Sequence, residues 1–166
     1  MTRESKILIA VLVLIVGAMV GVFLLANGSG STNNPKGDKT ALTRPDTYKQ
    51  GTGSVQVVEY GDYQCPACGA AYPVVKQLQQ DLPGQFTLYF RNFPLTQLHA
   101  NAMLAANAAE AAGAQGKYWE MHDKLYESQK DWSNLAAGDA EAKLVGYAKD
   151  LGLDADKFKQ AVDSTQ

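Results

Sequence analysis

The two cysteines of this chain, Cys65 and Cys68, are the residues whose type and spacing point most directly to chemistry. Only Pro66 and Ala67 separate them, at a point where the sequence pattern changes from strand to helix. The run before them, residues 55–60, is short, apolar and rich in β-branched residues, which predicts a mostly buried strand. Side chains three apart on a helix lie about 5–6 Å apart, so a small adjustment would bring the two sulfurs to disulfide distance.

A helix is predicted over residues 66–81, and this places Cys65 at the N-cap position. Proline suits the first helical position, because its missing N–H would have no intrahelical partner there. The amides of Ala67 and Cys68 are then expected to point at the Cys65 sulfur, and the helix dipole adds positive potential. Both effects favour the thiolate form, which is the reactive form of cysteine. Our hypothesis is that Cys65 is the attacking thiolate and that the more shielded Cys68 is the resolving thiol.

Two other interpretations of the cysteine pair stay open at this stage. A structural zinc site needs four ligands, whereas the chain has no further cysteine and only two separate histidines, His99 and His122. A purely structural disulfide is the second alternative, but a bridge that closes so short a loop constrains the unfolded chain little. Reversible thiol–disulfide exchange therefore fits the pair best.

Further segments occur in the order in which one known family has them. They are residues 57–60, the Cys65-Pro66-Ala67-Cys68 site, Pro73, residues 89–95 and residues 108–126. On these segments, over about residues 45–166, the sequence resembles the DsbA-like thiol–disulfide oxidoreductases of the thioredoxin superfamily. The resemblance is to a branch that is often anchored outside bacterial membranes. It implies an α/β thioredoxin-like fold with an inserted helical subdomain at about residues 98–166.

Glu59 lies late in the predicted strand, just before the turn that leads to the cysteines. Because strand side chains alternate between faces, we expect its carboxyl group to lie beneath the active site. The resemblance implies that Glu59 relays protons to and from Cys68, and the alternative is a strand-end carboxylate that reaches solvent. Asp62, Tyr63 and Gln64 are expected to form the turn and rim the site without taking part in the chemistry.

The N-terminal region predicts a membrane anchor. Residues 7–26 contain no charge and follow Arg3 and Lys6. A helix of this length spans about 30 Å, the thickness of the hydrocarbon layer. The positive flank indicates that residues 1–6 are cytoplasmic and that the remainder is outside, with residues 27–44 as a flexible linker. A cleaved signal peptide is the alternative, and either way the cysteines would lie in an oxidising compartment.

The remaining pattern predicts a second strand and several helices. Residues 86–91 are expected to form a strand parallel to the first, and the alanine-rich residues 98–112 a helix. One apolar helical face is predicted from residues at helical spacing: Tyr118, Met121, His122 and Leu125. His122 is expected to be a hydrogen-bonded core histidine. Asp139 and Asp154 are expected to cap two later helices.

The chain stops at Gln166, within or just after the last predicted helix. The resemblance implies that the fold closes with two further strands, the first of them preceded by a cis-proline that faces the cysteines. The last proline in this sequence is Pro94. We therefore expect a C-terminally truncated chain whose sheet has an unpartnered edge. The alternatives are a degenerate gene product and a chain that a partner completes.

The overall charge excludes one class of function and leaves the others to the cysteines. With 15 basic and 17 acidic residues, the net charge of −2 gives no indication of nucleic-acid binding. The predicted function is that of a single-pass, extracytoplasmic thiol–disulfide oxidoreductase. It would form disulfides in exported proteins that have free cysteines, and a membrane redox partner would reoxidise it. No metal or organic cofactor is implied. The alternatives are a reductase or isomerase at the same site, and a tethered binding module without turnover.

Overall fold

The computed structural model describes residues 48–164. The strands are β1 (Lys49–Gly51), β2 (Val55–Gly61) and β3 (Phe86–Asn92). The helices are α1 (Pro66–Asp81), α2 (Ala102–Gly113), α3 (Tyr118–Glu127), α4 (Gln129–Trp132), α5 (Ala137–Asp150) and α6 (Ala155–Asp163). None of these helices combines the length and the hydrophobicity that a membrane crossing requires. The predicted anchor at residues 7–26 and the predicted linker at residues 27–44 lie outside the described residues.

The three described strands form one sheet in the order β1-β3-β2. β2 runs parallel to β3, in register from Val55 opposite Phe86 to Gly61 opposite Asn92. The parallel pairing predicted from the sequence is confirmed, and each strand extends one residue further than predicted. Because parallel strands end at the same edge of a sheet, the segments after β2 and β3 begin side by side. The amide of Phe93 donates to the carbonyl of Gly61 (2.8 Å) and joins these two segments.

Helix α1 is the crossover between β2 and β3, with the bounds that the sequence predicts. Pro66 occupies its first turn and Pro73 lies within it, and the helix continues past Pro73 to Asp81. Between α1 and the sheet lies an apolar groove of about 590 Å³. In the described part of the chain β2 is an edge strand, and Val55, Val57 and Tyr60 are exposed along it.

The five remaining helices enclose most of the core. Eight residues of α2 are buried, seven of them alanines, and small side chains let the neighbouring helices approach closely. The largest fully buried side chains of the helical layer are Trp132, Phe158, Met121, Leu125 and Leu144. His122 lies in this core with its Nδ1 3.0 Å from Asp123 Oδ1, which confirms the predicted hydrogen-bonded core histidine.

Two predicted helix starts were wrong and one is confirmed. α2 begins at Ala102 and not at residue 98, because the preceding residues are engaged in contacts with the cysteine turn that are described below. α5 begins at Ala137, so Asp139 lies in its first turn, where it complements the helix dipole without capping the helix. Asp154 does cap α6, since its carboxylate accepts the amide of Lys157 at 3.1 Å.

Candidate active site

Cys65 and Cys68 lie at the start of α1, at the edge of the sheet where β2 ends. Cys65 is the N-cap residue in extended conformation (φ −67°, ψ 121°), and Pro66 follows in the first turn. Its backbone is held on both sides: its amide donates to the carbonyl of Asp62 (3.1 Å), and its carbonyl accepts from Gly69 (3.0 Å). Both cysteines are free thiols and are partly exposed. The structure therefore presents a dithiol that a reactant can reach.

The sequence predicted hydrogen bonds from the following amides to the Cys65 sulfur. In the described chain the Cys65 side chain makes no such capping bond, so this prediction was wrong. The sulfur instead shares a hydrogen bond with the thiol of Cys68. Burial raises the pKa of Cys68, and a hydrogen bond from the backbone of Asp62 partly offsets this rise. The hydrogen bond and charge of Cys65 and the charge of Asp62 raise that pKa further. These effects disfavour the Cys68 thiolate, and the role of Cys68 as the resolving cysteine stays a prediction.

Gln129, the first residue of α4, holds the turn that leads to the cysteines. Its Nε2 donates to the carbonyl of Tyr63 (2.7 Å) and to the carbonyl of Cys65 (2.9 Å). Gly69 lets this side chain approach, since a Cβ on Gly69 would lie 2.6 Å from the Gln129 Oε1. One amide group from the helical layer therefore fixes two carbonyls of the active-site turn.

Asp62 was predicted to rim the site, and this was wrong: the residue is only 3% exposed. Its carboxylate accepts three hydrogen bonds, from the amide of Gln64 (2.8 Å), from the amide of Leu95 (2.9 Å) and from Nδ1 of His99 (2.7 Å). Burial of a carboxylate is tolerated when several donors replace its water. The hydrogen bonds to Leu95 and His99 therefore hold the turn after β2 against the loop after β3.

Gln64 continues this polar connection toward the helical layer. Its Oε1 accepts the amide of Asn101 (2.6 Å), and its Nε2 donates to the carbonyl of Ser133 (2.6 Å). Asn101 in turn donates to the carbonyl of Leu135 at 2.9 Å. These bonds occupy the residues before α2, which explains why the helix starts later than its alanine pattern predicts.

Tyr63 was also expected at the rim and is instead a core residue, 1% exposed. Its ring stacks on Phe90 with 5.3 Å between centroids and contacts Tyr126 at 4.9 Å. Its hydroxyl lies 3.4 Å from that of Tyr118. The residue anchors the active-site turn in the hydrophobic core between sheet and helices.

Glu59 is half-buried and lines the groove between β2 and α1. Burial raises the pKa of its carboxyl group, and the charge of His122 partly offsets this rise. Burial raises the pKa of Tyr126 most, and the charges of Cys68 and Glu59 add to the rise. The position of Glu59 beneath the cysteines and its proton-relay role both stay predictions.

The two histidines do not form a metal site. His99 contacts Asp62 and His122 contacts Asp123. Across residues 48–164 there is no group of three or more histidine, cysteine, aspartate or glutamate side chains that could hold a metal ion.

Sequence reasoning placed Asp62 and Gln64 at the rim of the site without a role, and it did not identify His99 or Gln129 as parts of the site. The only signal for Asp62 and Gln64 was their place in the turn beside the cysteines. Gln129 gave no signal, because a glutamine in a helical segment is usually a solvated residue. Their roles depend on partners that lie between 33 and 69 residues away in the chain.

Comparisons with known proteins agree with this geometry. A family model described as thioredoxin matches residues 50–166. A thioredoxin-like oxidoreductase from Silicibacter pomeroyi has a similar structure, with a TM-score of 0.62 and 30% sequence identity, covering 76% of this chain and 69% of that protein. The probable disulfide bond formation protein D of Bacillus anthracis is 31% identical over 117 residues, which are 68% of this chain and 53% of that protein.

The chain therefore belongs to the thioredoxin family, among its DsbA-like thiol–disulfide oxidoreductases. It is also 46% identical over 106 residues to the Na(+)/H(+) antiporter NhaA 1 of Salinispora arenicola. That match covers 64% of this chain but only 15% of the antiporter, so the chain spans about one seventh of the length of that relative.

Proposed function

We propose that this chain oxidises pairs of cysteines in exported proteins, by thiol–disulfide exchange at Cys65 and Cys68 on the outer side of the cytoplasmic membrane. The observation that supports this most directly is the pair of partly exposed thiols, hydrogen-bonded to each other at the N-terminus of α1. The Cys-Pro-Ala-Cys motif, the family and the two free thiols all support thiol–disulfide exchange as the chemistry of this site.

The proposed reaction begins with the Cys65–Cys68 disulfide. A substrate thiolate attacks the Cys65 sulfur, a mixed disulfide forms, and Cys68 leaves with the electron pair of the broken bond and takes up a proton. A second substrate thiolate then attacks the substrate sulfur of the mixed disulfide, and Cys65 leaves as a thiolate. The substrate has then lost two electrons and gained a disulfide, and the cysteine pair is reduced.

Glu59 is the proposed proton carrier for Cys68. A carboxyl group whose pKa is raised by burial stays protonated to higher pH than an exposed one, so it can deliver a proton when Cys68 leaves. Glu59→Gln keeps the size and polarity of the side chain but cannot carry the proton. The variant should form and release the mixed disulfide more slowly, most of all at low pH. Unchanged kinetics across the pH range would exclude the relay.

The membrane location and the partners rest on sequence and family together. Residues 7–26 are the proposed anchor, and a membrane redox partner is proposed to accept the electrons from the reduced pair. In intact cells that are first treated with a reductant, a thiol reagent that does not cross membranes should label Cys65 as fast as it does after lysis. Labelling that requires lysis would place the cysteines on the cytoplasmic side and contradict the proposal.

The exchange itself is tested by the stoichiometry of a chromogenic aryl disulfide with the reduced full chain. Wild type should release about two equivalents of the aryl thiolate and form the internal disulfide, because Cys68 resolves the first adduct. Cys68→Ser should release about one and keep the adduct on Cys65, and Cys65→Ser should react slowly. A wild type that keeps a stable adduct would refute the assignment of roles.

The direction of exchange is a separate measurement. A reduction potential of about −120 mV would support the proposed oxidase, whereas one of about −270 mV would make the protein a reductase. Equilibration with a glutathione buffer, followed by alkylation and mass determination, gives this value. Substitution of both cysteines by serine is the control, and it should abolish every exchange signal.

A further inference from the structure

The side chain of Gln129 crosses from α4 to the first turn of α1, where the cysteines lie. Its Nε2 donates to the carbonyl of Tyr63 at 2.7 Å and to the carbonyl of Cys65 at 2.9 Å. The Cys65 carbonyl also accepts the amide of Gly69 at 3.0 Å, and the Cys65 amide donates to the carbonyl of Asp62 at 3.1 Å. The peptide groups on both sides of Cys65 are therefore held, which leaves mainly the rotation of its side chain to move the sulfur.

Gly69 is the residue of α1 against which this side chain packs. A Cβ at position 69 would lie 2.6 Å from Oε1 of Gln129 and 3.0 Å from both its Cδ and its Nε2. The whole amide group of Gln129 therefore occupies the space that a side chain at position 69 would need. Glycine within a helix is less favourable than alanine, and here its small size admits the glutamine. The two residues form a matched pair across the boundary between α1 and α4.

The next turn of α1 has a connection of its own to the helical layer. The hydroxyl of Tyr72 donates to Oε1 of Glu127 at 3.0 Å. This contact joins two side chains and lies beyond the cysteines. The contact of Gln129 is different in kind, because it binds the backbone and does so at Cys65 itself. It can therefore set the position of Cys65 relative to the helix that carries Cys68.

The bond between Cys65 and Cys68 forms and breaks only when the two sulfurs are suitably placed. When it forms from a Cys65 adduct, Cys68 loses its proton and its thiolate attacks the Cys65 sulfur. The group bound there leaves as a thiolate with the electron pair of the broken bond. A displacement of about 1 Å in a reacting group can slow a reaction about 100-fold. A held backbone should thus matter most for this intramolecular step and less for attack by Cys65 on an external disulfide.

We propose that Gln129 is a positioning residue for the exchange reaction. Seated against Gly69, its amide holds the backbone of Cys65 so that Cys68 can form and break the disulfide bond with it. The inference rests on the proposed thiol–disulfide exchange and deepens it. It assigns the speed of the intramolecular step to a residue of the helical layer that makes no contact with the substrate sulfur.

The test follows the reduced full chain through its reaction with an excess of a chromogenic aryl disulfide. The first aryl thiolate is released when Cys65 attacks the reagent, and the second when Cys68 attacks the Cys65 adduct. Stopped-flow absorbance separates the two steps, because only the first depends on the reagent concentration. In Gln129→Ala the second step should be about tenfold slower than in wild type, whereas the first should change by less than about twofold.

Gly69→Ala perturbs the same contact from the other side. Its methyl group would displace the Gln129 amide, so the second step should slow by about the same factor. In the Gln129→Ala background nothing is left to displace, and Gly69→Ala should then have no further effect. Gly146→Ala and Gln77→Ala are the matched controls and should leave both steps unchanged. A Cβ at Gly146 meets nothing within 4 Å, and Gln77 binds Asp81 on its own helix.

Each result separates the inference from the proposed function. Unchanged second steps in Gln129→Ala and Gly69→Ala would overturn the inference, and so would equal slowing of both steps, because that would indicate a general loss of structure. Additive losses in the double variant would also overturn it. If Gln129→Ala fails to fold, Gln129→Met, which keeps the volume but not the donor, takes its place beside Gly69→Ala. In all these cases a wild type that releases two equivalents leaves the proposed function standing, and one that releases fewer overturns both.

Discussion

Gln129→Ala removes a side chain that binds two carbonyls of the cysteine turn. Its Nε2 donates to Tyr63 at 2.7 Å and to Cys65 at 2.9 Å, and both acceptors lie where the chain turns from β2 into α1. Alanine cannot replace either bond. The carbonyl of Tyr63 belongs to a residue that is 1% exposed, so water reaches it poorly. The loss should therefore exceed that of a surface hydrogen bond.

The expected destabilisation follows from the count of bonds. A buried or half-buried hydrogen bond contributes about 0.5–1.5 kcal/mol net, so two such bonds give about 1–3 kcal/mol in the free energy of unfolding. The upper part of this range applies if the Tyr63 carbonyl remains unsolvated in the variant. Because Gly69 packs against the same glutamine, the space left by the substitution is open to rearrangement or to water.

Urea unfolding of the full chain measures the effect through the fluorescence of Trp132, which is fully buried and donates to the carbonyl of Leu125. Gln77→Ala is the matched control. Gln77 is exposed and makes one hydrogen bond, to Asp81 on the same helix, so its loss should cost no more than about 0.5 kcal/mol. If Gln129→Ala were no more destabilised than Gln77→Ala, the two hydrogen bonds would not hold the turn.

Three further substitutions test other parts of the structure. Glu59→Gln should be more stable than wild type at pH 7. Burial raises the carboxyl pKa above its ordinary 4.5, so wild type loses stability as the pH rises through that range, and the advantage of the variant should vanish in acid. Gly61→Ala should lose about 1–3 kcal/mol in urea unfolding, because its Cβ would lie 2.3 Å from the Phe90 ring. Asp154→Ala should be less stable than wild type in thermal or urea unfolding, through loss of its cap on Lys157.

Each of these expectations has a result that contradicts it. A stability difference between Glu59→Gln and wild type that is independent of pH would show that the effect does not come from ionisation. Gly146→Ala is the control for Gly61, since a Cβ there meets nothing within 4 Å, and it should be neutral or stabilising. Asp156→Ala is the control for Asp154. If it were equally destabilised, the helix dipole and not the cap would explain the loss.

The start of α2 shows where sequence pattern and tertiary structure disagree. The alanine-rich pattern predicted a helix from residue 98, whereas the helix begins at Ala102. His99 binds Asp62, and Asn101 binds Gln64 through its amide and Leu135 through its side chain. Periodicity describes which face of a helix is apolar, but it contains no information about polar partners from distant parts of the chain.

The predicted hydrogen bonds to the Cys65 sulfur illustrate the same limit at the site itself. Pro66 and the pattern of α1 were sufficient to place Cys65 at the N-cap. The side chain of Cys65 nevertheless makes no capping bond. Local sequence fixes the backbone position of a cap more reliably than the rotamer of the residue that occupies it.

The sequence by itself determined the cysteine pair, the bounds of α1 and the parallel pairing of β2 with β3. These follow from short-range features: residue spacing, a proline at a helix start, and runs of β-branched residues. Only the tertiary structure decided that Asp62 is buried, that His99 binds it and that Gln129 holds the turn. Those contacts join residues that are distant in the chain, and a polar side chain acquires its role only when folding removes its water and supplies a partner.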